Sequence, residues 1–331
     1  MQMKWRRNMK NRRYVSVQDG FTLIELIVVI GVILSVIAMS LGAARQWMRW
    51  MKEIETKRKL ESIRKGMETV YRLNAWSIDS TNANTLVLSI NGVQYSLTNG
   101  PAESSNNLAA LQAIASISGI AQNEIGRDSM RHVLQVYVSD RLQDAASGVF
   151  YHAAAVVSPG WDGTLDSTFD RNTGVLAVNK DDSGFVITGM QYQIENVNNT
   201  LKKMYAIRDL YQNYFTILYM QSADKNVYVN RFANRDSSCS VNPYWDQSSG
   251  IRNTNCAGGN TTISSVGAAS VFGLNQDSIM SAWGREMRLD NHSSSTRNPD
   301  TTGLSTPYTA HILADLPWNN AVLEVVVNGV Y

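Results

Sequence analysis

The side chains that could build a catalytic site are few in this 331-residue chain, and their spacing argues against catalysis. The histidines are His132, His152, His292 and His311. None falls in an H-E-x-x-H pattern or forms a close metal pair. Ser62-Ile63-Arg64-Lys65 and Ser222-Ala223-Asp224-Lys225 match the serine–lysine pattern of acylating enzymes by letter. Both lie on or just after predicted helices, without the S-D-N and K-T-G segments that complete such a site. There is no G-x-S-x-G elbow and no phosphate-cradling loop. We therefore expect no catalytic residues and no enzyme.

Oxygen ligands for a cation are grouped more tightly. Asp162, Asp166 and Asp170 lie four apart, and Asn179, Asp181, Ser183 and Gly184 echo the start of a calcium loop. The bidentate acid that would complete an EF-hand is missing, because position 190 is Met. Ordinary Asx turns account for these residues, so neither metal nor cofactor is expected. Cys239 and Cys256, the only two cysteines, exclude a disulfide-dense scaffold and a four-cysteine zinc site.

The elements that carry these residues begin with a charge imbalance. Residues 1–20 hold Lys4, Arg6, Arg7, Lys10, Arg12 and Arg13 against Asp19 alone, a net +5 within a chain of net +2. The remainder is therefore at −3, and binding of nucleic acid through bulk positive charge is disfavoured. Phe21 to Ala44 then reads FTLIELIVVIGVILSVIAMSLGAA, with Glu25 as its single ionisable side chain. As a helix this run is roughly 36 Å long, enough to cross a hydrocarbon core of about 30 Å. It is longer than a secretory signal's apolar region. The basic leader argues for a cytoplasmic N-terminus, although Arg45, Arg49 and Lys52 follow the span, beside Trp47 and Trp50. A carboxylate inside such a run is costly, and a plain anchor gives Glu25 no purpose.

Gly20-Phe21-Thr22-Leu23-Ile24-Glu25, after a short basic leader and before an apolar helix, resembles the prepilin signal of type IV pilins and type II secretion pseudopilins. The motif likeness covers residues 1–45. It implies that Gly20 ends a leader removed by prepilin peptidase. It implies that Phe21 becomes the new N-terminus, usually methylated, and that Glu25 neutralises the Phe21 amine of an adjacent subunit. It also implies that residues 21–44 first sit in membrane lipid and later in a filament core. The partners it implies are other pilin subunits and an inner-membrane assembly platform driven by a separate ATPase. Family members often unwind this helix locally on assembly; Gly42 is the candidate here, and close helix packing is the alternative for Gly31 and Gly42.

The helix is expected to continue as a long spine to Trp76, with an apolar stripe at Trp47, Met51, Ile54, Leu60, Ile63, Met67, Val70 and Asn74. Its basic run is read as a solvated face, with contact to lipid headgroups or to acidic patches on neighbouring subunits as the alternative. Thr85–Ile90 and Val93–Leu97 around Asn91-Gly92 predict a hairpin. Leu108–Ile117 predicts a short helix, and His132–Val138, Val149–Val157, Gly174–Val178 and Gly184–Thr188 predict strands. Met190 to Met220 predicts a second helix resembling the exposed half of a pilin spine. His311–Leu316 and Ala321–Val327 predict closing strands. Ser158-Pro159-Gly160-Trp161-Asp162-Gly163 and the Trp283-Gly284 segment resemble loops of pseudopilin heads.

The expected fold class is α+β: leader 1–20, spine 21–76 with its transmembrane part at 21–44, a first pilin-like head 77–188 and a second module 189–331. One larger head is the alternative. A Cys239–Cys256 disulfide, on the oxidising side of the membrane, would close a loop of about 18 residues and contribute roughly 3 kcal/mol. The expected function is structural: a large, minor-type subunit of a type IV pilus-like filament, with a head outside the cytoplasm of a bacterial cell. The alternatives are a type II secretion pseudopilin and a membrane-anchored extracytoplasmic binding protein.

Overall fold

The computed structural model describes residues 22–81, 83–119, 121–122, 124–227, 245–246, 251–252, 261–263, 269, 272–290 and 309–331. It is α+β, with one long N-terminal helix and antiparallel sheets. Two compact units are present, Met1–Lys52 and Glu53–Tyr331.

Helix α1 runs Leu23–Asp79, three residues beyond the expected end at Trp76. Its portion in the first unit is exposed throughout and, Glu25 aside, apolar as far as Ala44; its most apolar 18-residue stretch has a mean hydropathy of 2.7. The Ser35 and Ser40 hydroxyls donate to the carbonyls of Gly31 and Val36, four residues back, at 2.9 and 2.7 Å. Such bonds remove polar groups from an apolar face. The helix is unbroken at Gly31 and Gly42; its one non-helical residue is Asn74 (φ −114°, ψ 16°). In the second unit, Thr56, Leu60, Ile63, Met67, Val70 and Tyr71 recur at three- and four-residue steps and are buried. The expected stripe holds from Leu60 onward; Trp47 and Met51 are exposed, and the residue buried at the slip is Thr56.

The hairpin of β1 (Thr85–Ile90) and β2 (Val93–Thr98) turns at Asn91 and Gly92, whose φ of 52° and 80° fit a type I′ turn. After β3 (Gly100–Pro101), α2 (Ser105–Ser118) packs where α1 has Gly66, whose added Cβ would meet the Ser118 hydroxyl at 2.1 Å. β4 (Gln135–Val138), β5 (Leu142–Gln143), β6 (Phe150–Tyr151) and β7 (Ala153–Ser158) follow. Two expectations change here: the strand from His132 begins three residues later, and the strand from Val149 is interrupted at His152. Every residue of β7 is buried, as its Ala-Ala-Ala-Val-Val run requires of a strand covered on both faces. β8 (Thr168–Asp170), β9 (Val175–Ala177) and β10 (Ser183–Thr188) complete this half, and the first sheet has the order β10-β7-β4-β3.

Helix α3 (Met190–Gln221) opens the second half. β11 (Trp245–Asp246) pairs with β12 (Ile251–Arg252), and β13 (Thr261–Thr262) precedes the one-turn helix α4 (Gln276–Ile279). β14 (Arg288–Asp290), β15 (Thr309–Asp315) and β16 (Val322–Asn328) join β13 in the order β13-β14-β15-β16.

The two sheets share one pairing scheme. Gly100 pairs with Val136 and Val136 with Val156; Thr261 pairs with Leu289 and Leu289 with Ile312. Val157 pairs with Gly184, and Leu313 with Glu324. The helices match as well: Leu60, Ile63, Met67 and Tyr71, each advanced by 144, become Met204, Ile207, Tyr211 and Phe215, and all eight are buried. Each half has its own hydrophobic cluster, the first spanning Leu60 to Ile187 and the second Met204 to Val327.

The loops before β4 and β14 also match. Lys59 donates to the carbonyls of Glu124 and Arg127 at 2.6 and 2.5 Å, and Lys203 to those of Asp277 and Met280 at 2.8 Å each. The Ser129 amide donates to the Thr56 hydroxyl at 3.3 Å, and the Ala282 amide to the Thr200 hydroxyl at 3.0 Å. Advanced by 153, Glu124, Arg127 and Ser129 become Asp277, Met280 and Ala282. The halves differ in one connector. Ser158 to Ser183 takes 25 steps along the chain, whereas the matching Ala314 to Leu323 takes 9.

Candidate functional site

The residues singled out for assembly stand at the start of α1. Gly20 and Phe21 lie outside the described residues, as do Cys239, Cys256 and His292. Glu25 is described and exposed, and it has local partners. Its Oε2 accepts from the Thr22 backbone N–H at 2.9 Å and from the Thr22 hydroxyl at 3.0 Å. The Glu25 N–H donates to the Thr22 Oγ1 at 3.3 Å. This reciprocal pair is a capping box, which satisfies amides at a helix start that otherwise have no acceptor. Its sequence signature is Thr22-Leu23-Ile24-Glu25, so this local purpose for Glu25 was legible. The carboxylate is thus held at the first turn of a helix whose next 18 side chains are almost all apolar.

A second group of acids lies in the connector that only the first sheet has. Ligand oxygens of Asp162, Asp166 and Asp181 come within 4.8 Å of one another. Asp170 is not among them: it closes its own turn, accepting from the Asn172 amide and the Thr173 hydroxyl at 2.9 Å each. Most of the other acids likewise serve local backbone. Asp162 accepts from the Thr164 amide at 2.7 Å, and Asp181 from the Trp161 amide at 2.5 Å. Asp182, buried, accepts from the Asp166 and Ser167 amides at 2.9 and 2.7 Å. The Lys180 ammonium lies 2.8 Å from Asp166 and neutralises part of the group. The hydrogen bond that Lys180 donates to Asp166 raises the Lys180 pKa, and those that Asp170 accepts from Asx-turn amides and the Thr173 hydroxyl lower its own. Asx-turn chemistry therefore describes the loop, and Asn179 joins it by donating to the Asp166 carbonyl at 3.0 Å.

In both serine–lysine matches the hydroxyl is engaged by backbone. Ser62 donates to the Arg58 carbonyl at 3.0 Å and Ser222 to the Tyr219 carbonyl at 2.8 Å, both helix-backbone bonds. Of the histidines, His132 Nδ1 lies 2.9 Å from the Gly160 carbonyl oxygen, and His311 Nδ1 is 2.5 Å from Glu324 on the neighbouring strand.

His152 belongs to a buried polar network that the sequence did not reveal. Its Nδ1 lies 2.8 Å from Asp79 Oδ1, and both side chains are fully buried. The Tyr71 hydroxyl donates to Asp79 at 2.8 Å and accepts from the His152 amide at 3.0 Å. Burial, and then the Asp79 charge, push the Tyr71 phenol well above its ordinary pKa, so it remains a donor. Gln193, at the start of α3, donates to Asp79 and to the Ala75 carbonyl, the latter at 3.1 Å. The Gln193 carbonyl oxygen in turn accepts from the Trp283 indole at 2.8 Å. Arg285 stacks over Trp76 at 4.6 Å, and Trp318 packs against Phe150 at 6.1 Å. The network ties the end of α1 and the first sheet to both the helix and the sheet loops of the second half. None of its core side chains reaches solvent, and it acts as a joint.

Comparison with protein-family models, with curated proteins and with solved structures finds no match for this chain.

Proposed function

We propose that this protein is a structural subunit of a type IV pilus-like filament, made as a prepilin. Prepilin peptidase cuts it after Gly20, Phe21 becomes the methylated N-terminus, and a platform with a separate ATPase draws it from the inner membrane into the filament. The observation that carries this reading is the prepilin-type start, Gly20 to Glu25, leading directly into the 57-residue helix α1 with an exposed apolar first half. A plain signal anchor does not need the motif, although the capping box would give Glu25 a local role in either case.

The repeated pairing scheme supports a head built of two modules, the second having a counterpart only to the outer half of the spine. That bulk favours a minor subunit. A pseudopilin of a secretion machine is the second reading, supported by the likeness of the Pro159–Gly163 and Trp283-Gly284 segments to pseudopilin loops.

The test is quantitative mass spectrometry of filaments sheared from native cells. The expected result is a peptide starting at methylated Phe21, at low stoichiometry to other subunits. An intact Met1–Gly20 leader in the membrane fraction, with none of the chain in sheared material, would overturn the proposal in favour of an anchored extracytoplasmic protein. Glu25→Ala should leave cleavage intact and abolish incorporation; normal incorporation of that variant would remove the charge-pair role.

A further inference from the structure

Between Glu25 and Glu53 the chain carries no acid, and all of its charge there is positive and lies in one short segment. Arg45, Arg49 and Lys52 recur at i, i+4 and i+7, which places them on one face of α1, and Trp47 and Trp50, between them in sequence, fall on the opposite face. Every residue from 45 to 52 is exposed, Trp47 at 60% and Trp50 at 56%. At 1.5 Å per residue, the helix from Leu23 to Ala44 spans about 33 Å, so this stripe falls at the phosphate level once the apolar run fills a bilayer of about 30 Å. Cations after the span oppose the rule that keeps Lys and Arg on the cytoplasmic side.

We propose that Arg45, Arg49 and Lys52, with Trp47 and Trp50, form a collar that binds the headgroups of anionic phospholipids. The inference rests on the membrane-spanning part of the proposed function and not on filament assembly. The indoles seat the collar in the interface, where their rings meet acyl chains and their N–H groups meet water and phosphate. The three cations then select the lipid. A Lys or Arg at this depth is attracted to anionic headgroups. Three on one face favour phosphatidylglycerol over phosphatidylcholine and fix the depth at which the span rests.

The test uses the full chain in phosphatidylcholine bilayers, with spin-labelled phosphatidylglycerol and phosphatidylcholine as probes of the lipid shell. The wild-type chain should favour labelled phosphatidylglycerol several-fold, and added salt should weaken the preference. The triple variant R45Q/R49Q/K52Q should lose most of that preference, while the cations of the leader, present in both chains, cancel from the comparison. Equal selectivity of variant and wild type, both still inserted, would overturn the collar. Release of the wild-type chain by alkaline carbonate would instead overturn the membrane span, and the collar with it. Methylated Phe21 in sheared filaments is independent of either result.

Discussion

Asp79 is the residue on which most of the head's buried polar chemistry converges. Tyr71, His152 and Gln193 come to it from three separate segments, so Asp79→Ala leaves His152 Nδ1 without its partner and removes one bond each from Tyr71 and Gln193 in a dry site. Each buried group left unsatisfied costs about 1–3 kcal/mol, and the variant should lose roughly 3 kcal/mol or more in urea denaturation. Tyr71→Phe, which removes one donor, should cost about 1–2 kcal/mol. A wild-type midpoint for Asp79→Ala would exclude a structural role for the network. Sequence could not find it: His152 and Gln193 lie 73 and 114 residues from Asp79, and only the closed fold brings them together. Glu25 was legible because its partner is three residues away. Surface turns give a separate expectation. The Ser147 hydroxyl and amide lower the Asp144 pKa, and the Asn172 amide, then the Thr173 hydroxyl, lower that of Asp170. A carboxylate depressed in the folded state stabilises it above the unfolded-state value, near 4. That stabilisation is lost as pH falls through the folded value. An NMR titration should place both below the usual carboxylate range, and the head should weaken below about pH 4.

At the scale of elements, the clearest signals were periodic and local. The α3 boundaries were legible from spacing to within a residue, and the Asn91-Gly92 hairpin from turn chemistry. The two-residue strands were not, because β3, β5 and β13 carry no pattern of their own and exist only through their neighbours. The matched lysines yield a paired prediction. Lys59 and Lys203 each hold two loop carbonyls, so Lys59→Met and Lys203→Met should each cost about 1–2 kcal/mol. Because they share no partner, the double variant should show the sum, within about 0.5 kcal/mol. Strong coupling between them in denaturation would mean that the loops are not independent. Gly189 and Gly329 form a second pair. A Cβ on Gly189 would lie 2.0 Å from the Tyr71 hydroxyl oxygen, and one on Gly329 would lie 2.6 Å from the Phe215 ring. Each glycine is needed for close approach of the last strand's end to the helix, and alanine at either position should lower the melting temperature.

For the whole molecule, the repeat explains more than its parts. The second helix looked like a spine because it carries the same buried register as α1, and two cores follow from two copies of one arrangement. What sequence could not supply was the joint between the halves, since Gln193, Trp283, Arg285 and Trp318 are individually ordinary surface-compatible residues. Gln193→Leu keeps the bulk but removes the donors to Asp79 and the acceptor for Trp283. If the joint couples the halves, denaturation of this variant should broaden or split into two transitions where the wild type shows one. A single sharp transition at the wild-type midpoint would show that coupling lies elsewhere.

The interruption of α1 at Asn74 has a mechanical meaning. A helix under tension gives way first where its backbone already departs from helical geometry. At that point the Asn74 amide donates to the Val70 carbonyl at 2.9 Å, while its oxygen accepts from the Ser89 backbone in β1 at 2.7 Å. One side chain therefore splices the helix to the hairpin at its weakest turn. A pull along α1 would reach the sheet through that amide before the helix could unravel toward its end.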